Sequence, residues 1–179
     1  MLIVALLVRV KMGSPIIFTQ RRAGLHGRVF TLYKFRSMTN KKDENGELLP
    51  NDQRLTKFGR LLRSTSLDEL PELFNILKGD MSIIGPRPLL EEYLPMYSDE
   101  QMKRHNMRPG LTSLTAVNGR ASLSWEARLE MDVWYIYNAS FLLDCKIILK
   151  TVVTVFKREN ISSDRGKFTG NKESEKKSS

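Results

Sequence analysis

Apolar positions along the chain change spacing several times, and each change marks an element. Residues 1–8 are uniformly apolar, Arg9 and Lys11 follow, and Gly13-Ser14-Pro15 breaks the run. Eight residues make roughly 12 Å of helix, far short of the ~30 Å hydrocarbon core of a bilayer. Basic residues after an apolar stretch are also in the wrong order for a secretory signal. The run reads as a short buried helix, as an interfacial anchor, or as a chain that begins within a helix. Residues 15–19 and 29–35 read as strands around a basic, glycine-punctuated turn over 20–28, which predicts a hairpin. Residues 40–52 are polar, with a turn at Asn45-Gly46, and are expected to be an exposed loop. Residues 56–63 predict a short basic helix with Phe58, Leu61 and Leu62 facing inward.

In residues 66–77, Leu67, Leu70, Phe74 and Leu77 recur at helical spacing and are predicted to share a buried face. Ser66 with Glu69 matches a capping box. From a Ser66 cap, however, Pro71 would be the fifth helical residue, where its ring clashes with an earlier carbonyl. With Asp68 as cap, Pro71 falls third and its missing N–H costs nothing, so the helix is predicted to start near Asp68 and stop at Gly79. An apolar run over 81–84 then leads into Pro86-Arg87-Pro88. Residues 89–107 predict a helix interrupted at Pro95, followed by turns at Arg108-Pro109-Gly110 and Asn118-Gly119-Arg120. Residues 125–138 predict a helix with Asp132 on its polar side. Residues 140–157 are apolar around most of their circumference, with Lys146, Lys150 and Lys157 on one stripe. That pattern fits a helix lying in a membrane interface or a core helix with a solvated edge. From residue 160 the chain is Ser, Lys, Glu and Gly, and a disordered polar tail is expected.

Composition narrows the classes. The 179 residues carry 29 Lys and Arg against 20 Asp and Glu, a net +9, with 41% hydrophobic residues and one cysteine. One domain with a real core follows, and a disulfide scaffold is excluded. The charge admits nucleic acid or an anionic membrane surface as partner. Lys and Arg are not interleaved with aromatics as a base-stacking platform requires, so nucleic acid has no motif behind it. Cys145, His26 and His105 are too few for a metal cage, and the two histidines read as surface residues. The sequence holds no phosphate-binding P-loop and no nucleophile elbow.

What remains is Asp68-Glu69 at a helix start, where the helix dipole favours the ionised forms. Such a carboxylate can hold Mg²⁺ or attack phosphorus to give an acyl phosphate. Lys34, Arg60, Arg63, Arg87, Arg108 and Arg120 can neutralise phosphates, and this combination suggests phosphoryl transfer, where catalysis is positioning and charge stabilisation. An acidic pair in a first helical turn is equally what ordinary capping looks like.

The motifs, taken together and in order, resemble the bacterial sugar transferase family, the monotopic phosphoglycosyl transferases. The matching stretches are Ile17-Phe18-Thr19-Gln20-Arg21-Arg22-Ala23-Gly24, Tyr33-Lys34-Phe35-Arg36-Ser37-Met38, residues 63–75 around Asp68-Glu69, Lys78-Gly79-Asp80-Met81 through Pro86-Arg87-Pro88, Arg108-Pro109-Gly110-Leu111-Thr112, Asn118-Gly119-Arg120, Asp132-Val133-Trp134-Tyr135 and Leu143-Asp144-Cys145-Lys146-Ile147. The resemblance implies an α+β fold: a compact, mainly helical domain with a short β-hairpin, interfacial amphipathic helices and a truncated N-terminal membrane helix. Residues 1–12 would be the remnant of that helix, 13–158 the catalytic domain and 159–179 the tail. It further implies transfer of a sugar-1-phosphate from a UDP-sugar to a polyprenol phosphate at the cytoplasmic face of the bacterial inner membrane, releasing UMP and starting glycan biosynthesis such as capsule or exopolysaccharide. Asp68 would be the nucleophile and Mg²⁺ ligand, with Glu69 beside it. Lys34, Arg63, Arg87, Arg120 and Asp132 would surround the substrate, and membrane lipids would be partners. Ser113, Thr115 and Ala116 depart from the family's usual Gly, Ala and Gln, which leaves an inactive membrane-bound scaffold as the alternative.

Overall fold

A computed structural model of the chain describes residues 1–119, 123–157 and 168–170. Its organising unit is the expected hairpin: β1 (Ile17–Ala23) pairs antiparallel with β2 (Val29–Phe35), with Phe18 opposite Lys34. β1 is longer than its apolar part, because in a two-stranded ribbon Gln20 and Arg22 line an open cleft while pairing carries the strand through them. Ahead of the hairpin, α1 (Leu2–Met12) buries Val8 and Met12 against Phe35 and Leu62, and leaves Leu2, Ile3, Leu6 and Val10 exposed.

After β2 the polar loop turns at Gly46, whose φ of 81° is a left-handed conformation. The one-turn α2 (Asn51–Arg54) leads into α3 (Lys57–Ser64), which Thr56 caps by accepting from the Gly59 N–H at 2.9 Å. Leu62 points inward, but Leu61 faces solvent. Gly59 lets α3 lie against the chain just past β2: a Cβ there would stand 1.8 Å from the Ser37 carbonyl oxygen.

The dyad segment departs most from the pattern reading. Ser66 takes a left-handed φ of 55°, Leu67–Glu69 form a 3₁₀ turn, and Pro71 is the N-cap of α4 (Glu72–Leu77). The helix therefore starts after the acidic pair and not at Asp68. Its faces are also inverted. Leu67, Phe74 and Leu77 are exposed, whereas Asp68, Glu72 and Asn75, themselves at helical spacing, are buried. Asn75 explains the inversion. It accepts the Tyr33 N–H at 3.1 Å and donates to the Thr31 carbonyl at 2.8 Å, satisfying the open edge of β2 and docking α4 by its polar side.

Next, β3 (Ser82–Ile84) and β4 (Gly110–Thr112) form a short parallel pair. The intervening chain is not one interrupted helix. It runs as 3₁₀ turns at Glu91–Met96 and Lys103–Asn106 around α5 (Asp99–Met102), because Ser98 closes a capping box with Gln101 and restarts the helix there. His105 is buried, not superficial, with Nδ1 3.0 Å from the Gly24 carbonyl and its pKa lowered to about 4 by burial and then by Arg104. After β4 come α6 (Leu114–Val117), α7 (Trp125–Asn138) and α8 (Phe141–Lys157). α8 docks through Ile147 against Ile84 and Tyr135. Phe168, within the stretch read as a polar tail, is buried against Tyr93 and Leu129. No helix among the described residues is long and apolar enough to cross a membrane.

Two stability predictions follow from this packing. Gly59→Ala has no room for its methyl against backbone and should cost roughly 2–4 kcal/mol, read as a fall in the denaturant midpoint. His105 binds a proton more weakly folded than unfolded, so its contribution is present above pH 6.5 and lost as pH falls toward 4. His105→Asn, which keeps a donor for Gly24, should flatten the pH dependence of unfolding across that window.

Candidate functional site

Four separate segments deliver the charged groups to one cleft of about 990 Å³. β2 contributes Lys34, α3 contributes Arg63, the 3₁₀ turn contributes Asp68 and Glu69, and the turn after β3 contributes Arg87. Each position has a local cause. Lys34 lies opposite Phe18 in the hairpin register. Arg63 is steadied by donating Nε to Ser37 Oγ at 2.9 Å. Arg87 sits between two prolines whose φ is fixed, in a turn anchored by the Gly110 N–H donating to the Pro86 carbonyl at 3.0 Å.

Glu69 is heavily bonded. Its Oε1 accepts from Lys34 Nζ at 2.7 Å and from Arg87 Nη2 at 2.9 Å. The same Lys34 ammonium lies 3.0 Å from Glu72 Oε1, so one cation serves two carboxylates. Glu72 is a site residue the sequence reading passed over; Glu-Leu at 69–70 and Glu-Leu at 72–73 look alike on paper, and only the docking of α4 turns Glu72 inward. Burial raises its pKa, which Lys34 opposes.

Asp68 is different. It is 8% exposed, yet among the described residues its carboxylate makes no hydrogen bond and no ion pair. Burial raises its pKa above the ordinary 3.8, the Glu69 charge adds to this, and Lys34, Arg63 and Arg87 oppose both. Burial likewise lowers the Arg63 pKa. At Arg87 the effect of burial is outweighed by Glu69, Glu72 and Asp68, and its pKa is raised. The arrangement is a carboxylate held beside cations without being tied to them.

Asp132 lines the same cleft but is 4% exposed, and Arg104, 2% exposed, holds it at 2.7 Å. Its place on a polar helix side is thus corrected: a buried arginine from 28 residues upstream neutralises it. Arg22, which the sequence reading also left out of the site, reaches the cleft and donates to Gln20 at 2.6 Å and to the Pro88 carbonyl at 3.2 Å. Burial and then the neighbouring Arg87 lower its pKa to about 10. Arg120 lies outside the described residues. Arg60 and Arg108 are exposed; Arg108 donates to the Gly79 carbonyl at 2.8 Å and is absent from the cleft lining.

No cluster of three or more His, Cys, Asp or Glu able to hold a metal occurs among the described residues. A single unbonded carboxylate facing a cationic cleft nonetheless fits Mg²⁺, which keeps several waters and completes its shell with one or two carboxylates and substrate phosphates. Asp68 is the residue that would hold it.

Beside the charged cleft runs an apolar groove of about 250 Å³. Leu70 and Leu73, Ile83 on β3, Val117, and Ile148 and Val152 on α8 line it. Glu69 and Arg87 belong to both cavities, so the groove opens onto the charged site.

The family model described as bacterial sugar transferase matches residues 1–158. The chain is 53% identical over 167 residues to the uncharacterized sugar transferase EpsL of Bacillus subtilis (strain 168), covering 91% of this chain and 83% of that protein. It is 43% identical over 168 residues to the UDP-glucose:undecaprenyl-phosphate glucose-1-phosphate transferase of Xanthomonas campestris pv. campestris, covering 86% of this chain. It is 40% identical over 164 residues to the undecaprenyl-phosphate galactose phosphotransferase of Salmonella typhimurium, covering 82% of this chain. It spans only 34% of each of the last two proteins.

The Asp68 environment sets a sign for stability. Its folded pKa lies above the unfolded one, so the protein is stabilised while Asp68 is protonated, and that contribution is lost as pH rises through the folded value. Asp68→Asn should therefore raise the melting temperature at pH 7.5. The gain should vanish near pH 3.5.

Proposed function

The chain belongs to the bacterial sugar transferase family, and from that premise we propose that it moves a sugar-1-phosphate from a UDP-sugar to undecaprenyl phosphate through a phosphosugar carried on Asp68. The observation that carries this reading is the contrast within the dyad: Glu69 is held by Lys34 and Arg87, while Asp68 is buried beside three cations and bonded to none. A carboxylate of that kind is poised to attack phosphorus.

In the first half-reaction an Asp68 carboxylate oxygen attacks the sugar-side phosphorus. The bond from that phosphorus to the bridging oxygen breaks, and UMP leaves with the electron pair. In the second, a phosphate oxygen of the lipid attacks the same phosphorus, the acyl phosphate bond breaks, and the Asp68 carboxylate is restored. Arg63 and Arg87 neutralise the phosphoryl oxygens, and Lys34 bonds Glu69 and lies 3.0 Å from Glu72 beside them. Mg²⁺ on Asp68, when bound, would offset repulsion between the carboxylate and the diphosphate. The two half-reactions share one cleft in turn, which is ping-pong chemistry.

The lipid acceptor's route is supported by the apolar groove meeting the cleft at Glu69 and Arg87. Around it, α4 exposes Phe74 and Leu77, and α8 exposes Leu149, Val153 and Phe156. Leu70 packs on the α1 cluster and also lines the groove, so these apolar surfaces adjoin. Exposed apolar area of this extent marks an interface, and with Lys146 and Lys150 also exposed on α8 it suits the headgroup region of an anionic membrane. We place that membrane at the cytoplasmic face of the bacterial inner membrane, and the reaction at the start of a lipid-linked glycan of the capsule or exopolysaccharide kind.

Without acceptor lipid, the protein should release UMP in a burst no larger than one per chain, and turn over only when polyprenol phosphate is added. Asp68→Asn should abolish both phases and Glu69→Gln should lower kcat at least 100-fold. The acid limb of kcat/KM should lie above pH 3.8, because Asp68 must be ionised to attack. Absence of UMP release from a panel of UDP-sugars, with lipid binding intact, would return the inactive-scaffold reading. Separately, Leu149→Asp with Phe156→Asp should cut affinity for anionic vesicles at least ten-fold while leaving the melting temperature unchanged, since both side chains are exposed.

A further inference from the structure

Arg87 is positioned from its backbone as well as by Glu69. Arg104 donates Nε and Nη2 to Asp132 Oδ2, at 3.1 and 2.7 Å, and Nη2 also donates to the Arg87 carbonyl oxygen at 2.7 Å. A buried guanidinium therefore ties α7 to the peptide group between Arg87 and Pro88, in a turn where both flanking prolines already fix φ. Asp132 is held in turn. Its Oδ1 faces Thr115 Oγ1 at 3.5 Å, and Thr115 Oγ1 lies 2.9 Å from Ser113 Oγ. Ser113 Oγ accepts the Ala116 N–H at 3.0 Å as the cap of α6.

Donor counting gives these hydroxyls one direction. Each carries a single proton. Thr115 donates its one proton to Asp132, so in the bond between the two hydroxyls Ser113 is the donor and Thr115 the acceptor. Both hydroxyls are in buried residues, 2% and 6% exposed.

We infer that Ser113, Thr115, Asp132 and Arg104 form a hydrogen-bonded relay that positions Arg87. Thr115 touches no reacting atom; it is a positioning residue that acts through Asp132, Arg104 and the Arg87 carbonyl on the guanidinium facing Glu69. Its effect on turnover rests on the reaction proposed above, but its effect on the turn does not.

Removing Arg104 would strand a buried aspartate and threatens folding, so the test uses Thr115→Val, which keeps the shape and removes the hydroxyl. Thr115→Ser keeps the hydroxyl and serves as the conservative rescue. In a double-mutant cycle, Thr115→Val should lower kcat/KM for the UDP-sugar about 10-fold in the wild-type background and less than 2-fold in an Arg87→Lys background, with Thr115→Ser within 2-fold of wild type. Equal losses in both backgrounds, or no loss in either, would overturn the relay. Hydrogen exchange gives a second readout that needs no activity. The Gly110 amide, which donates to the Pro86 carbonyl, should exchange at least 5-fold faster in Thr115→Val and at the wild-type rate in Thr115→Ser. Unchanged exchange in Thr115→Val overturns the relay even where wild-type protein turns over no UDP-sugar, a result that would count against the reaction instead.

Discussion

Two adjacent carboxylates, Asp68 and Glu69, lie mostly buried beside fixed cations, and most of the fold answers to that arrangement. Burial, and then the Glu69 charge, push Asp68 toward protonation. Opposing them takes cations that are close and fixed, and no short stretch of chain supplies these. Lys34 comes from a strand, Arg63 from a helix two elements later, and Arg87 from a proline-bracketed turn beyond the next helix. The hairpin register, the glycine contact that seats α3 and the polar docking of α4 through Asn75 are what bring them to one point. Glu69 takes the direct bonds from two of these cations. Asp68 is left with their field alone, which keeps its oxygens accessible to an electrophile.

The same docking explains why the outer surface is so apolar. α4 buries its acidic side and turns its leucines and Phe74 outward, next to the broad apolar face of α8. In water such an arrangement would be unfavourable. Against a lipid interface it is the low-energy choice, and it lays an apolar groove directly beside the cationic cleft. The lipid acceptor proposed above would meet both environments at Glu69 and Arg87.

The hairpin, α3 and the extents of α7 and α8 were legible in the sequence, because spacing, capping and turn residues are local signals; Lys34, Arg63, Asp68, Glu69 and Arg87, singled out there, meet in one cleft. What failed was the facing of residues 66–77. Leu67, Phe74 and Leu77 carry a correct helical spacing, yet it is Asp68, Glu72 and Asn75 that go inward. Apolar periodicity reports a face that avoids water and does not say whether protein or lipid covers it. Asp132 and His105 were misjudged for a related reason: their burial depends on Arg104 and Gly24, partners remote in sequence that no local pattern reveals. Ser66 in a left-handed conformation likewise set the dyad on a 3₁₀ turn ahead of the helix, a detail that capping rules alone did not anticipate.

The central claim is that the free carboxylate and not the bonded one carries chemistry. It is tested most directly by incubating the protein with a UDP-sugar in the absence of lipid acceptor, quenching, and locating the covalent adduct by peptide mass spectrometry. A phosphosugar on Asp68, lost on treatment with hydroxylamine, is the predicted result. An adduct on Glu69, or UMP released with no adduct on the chain, would contradict the account.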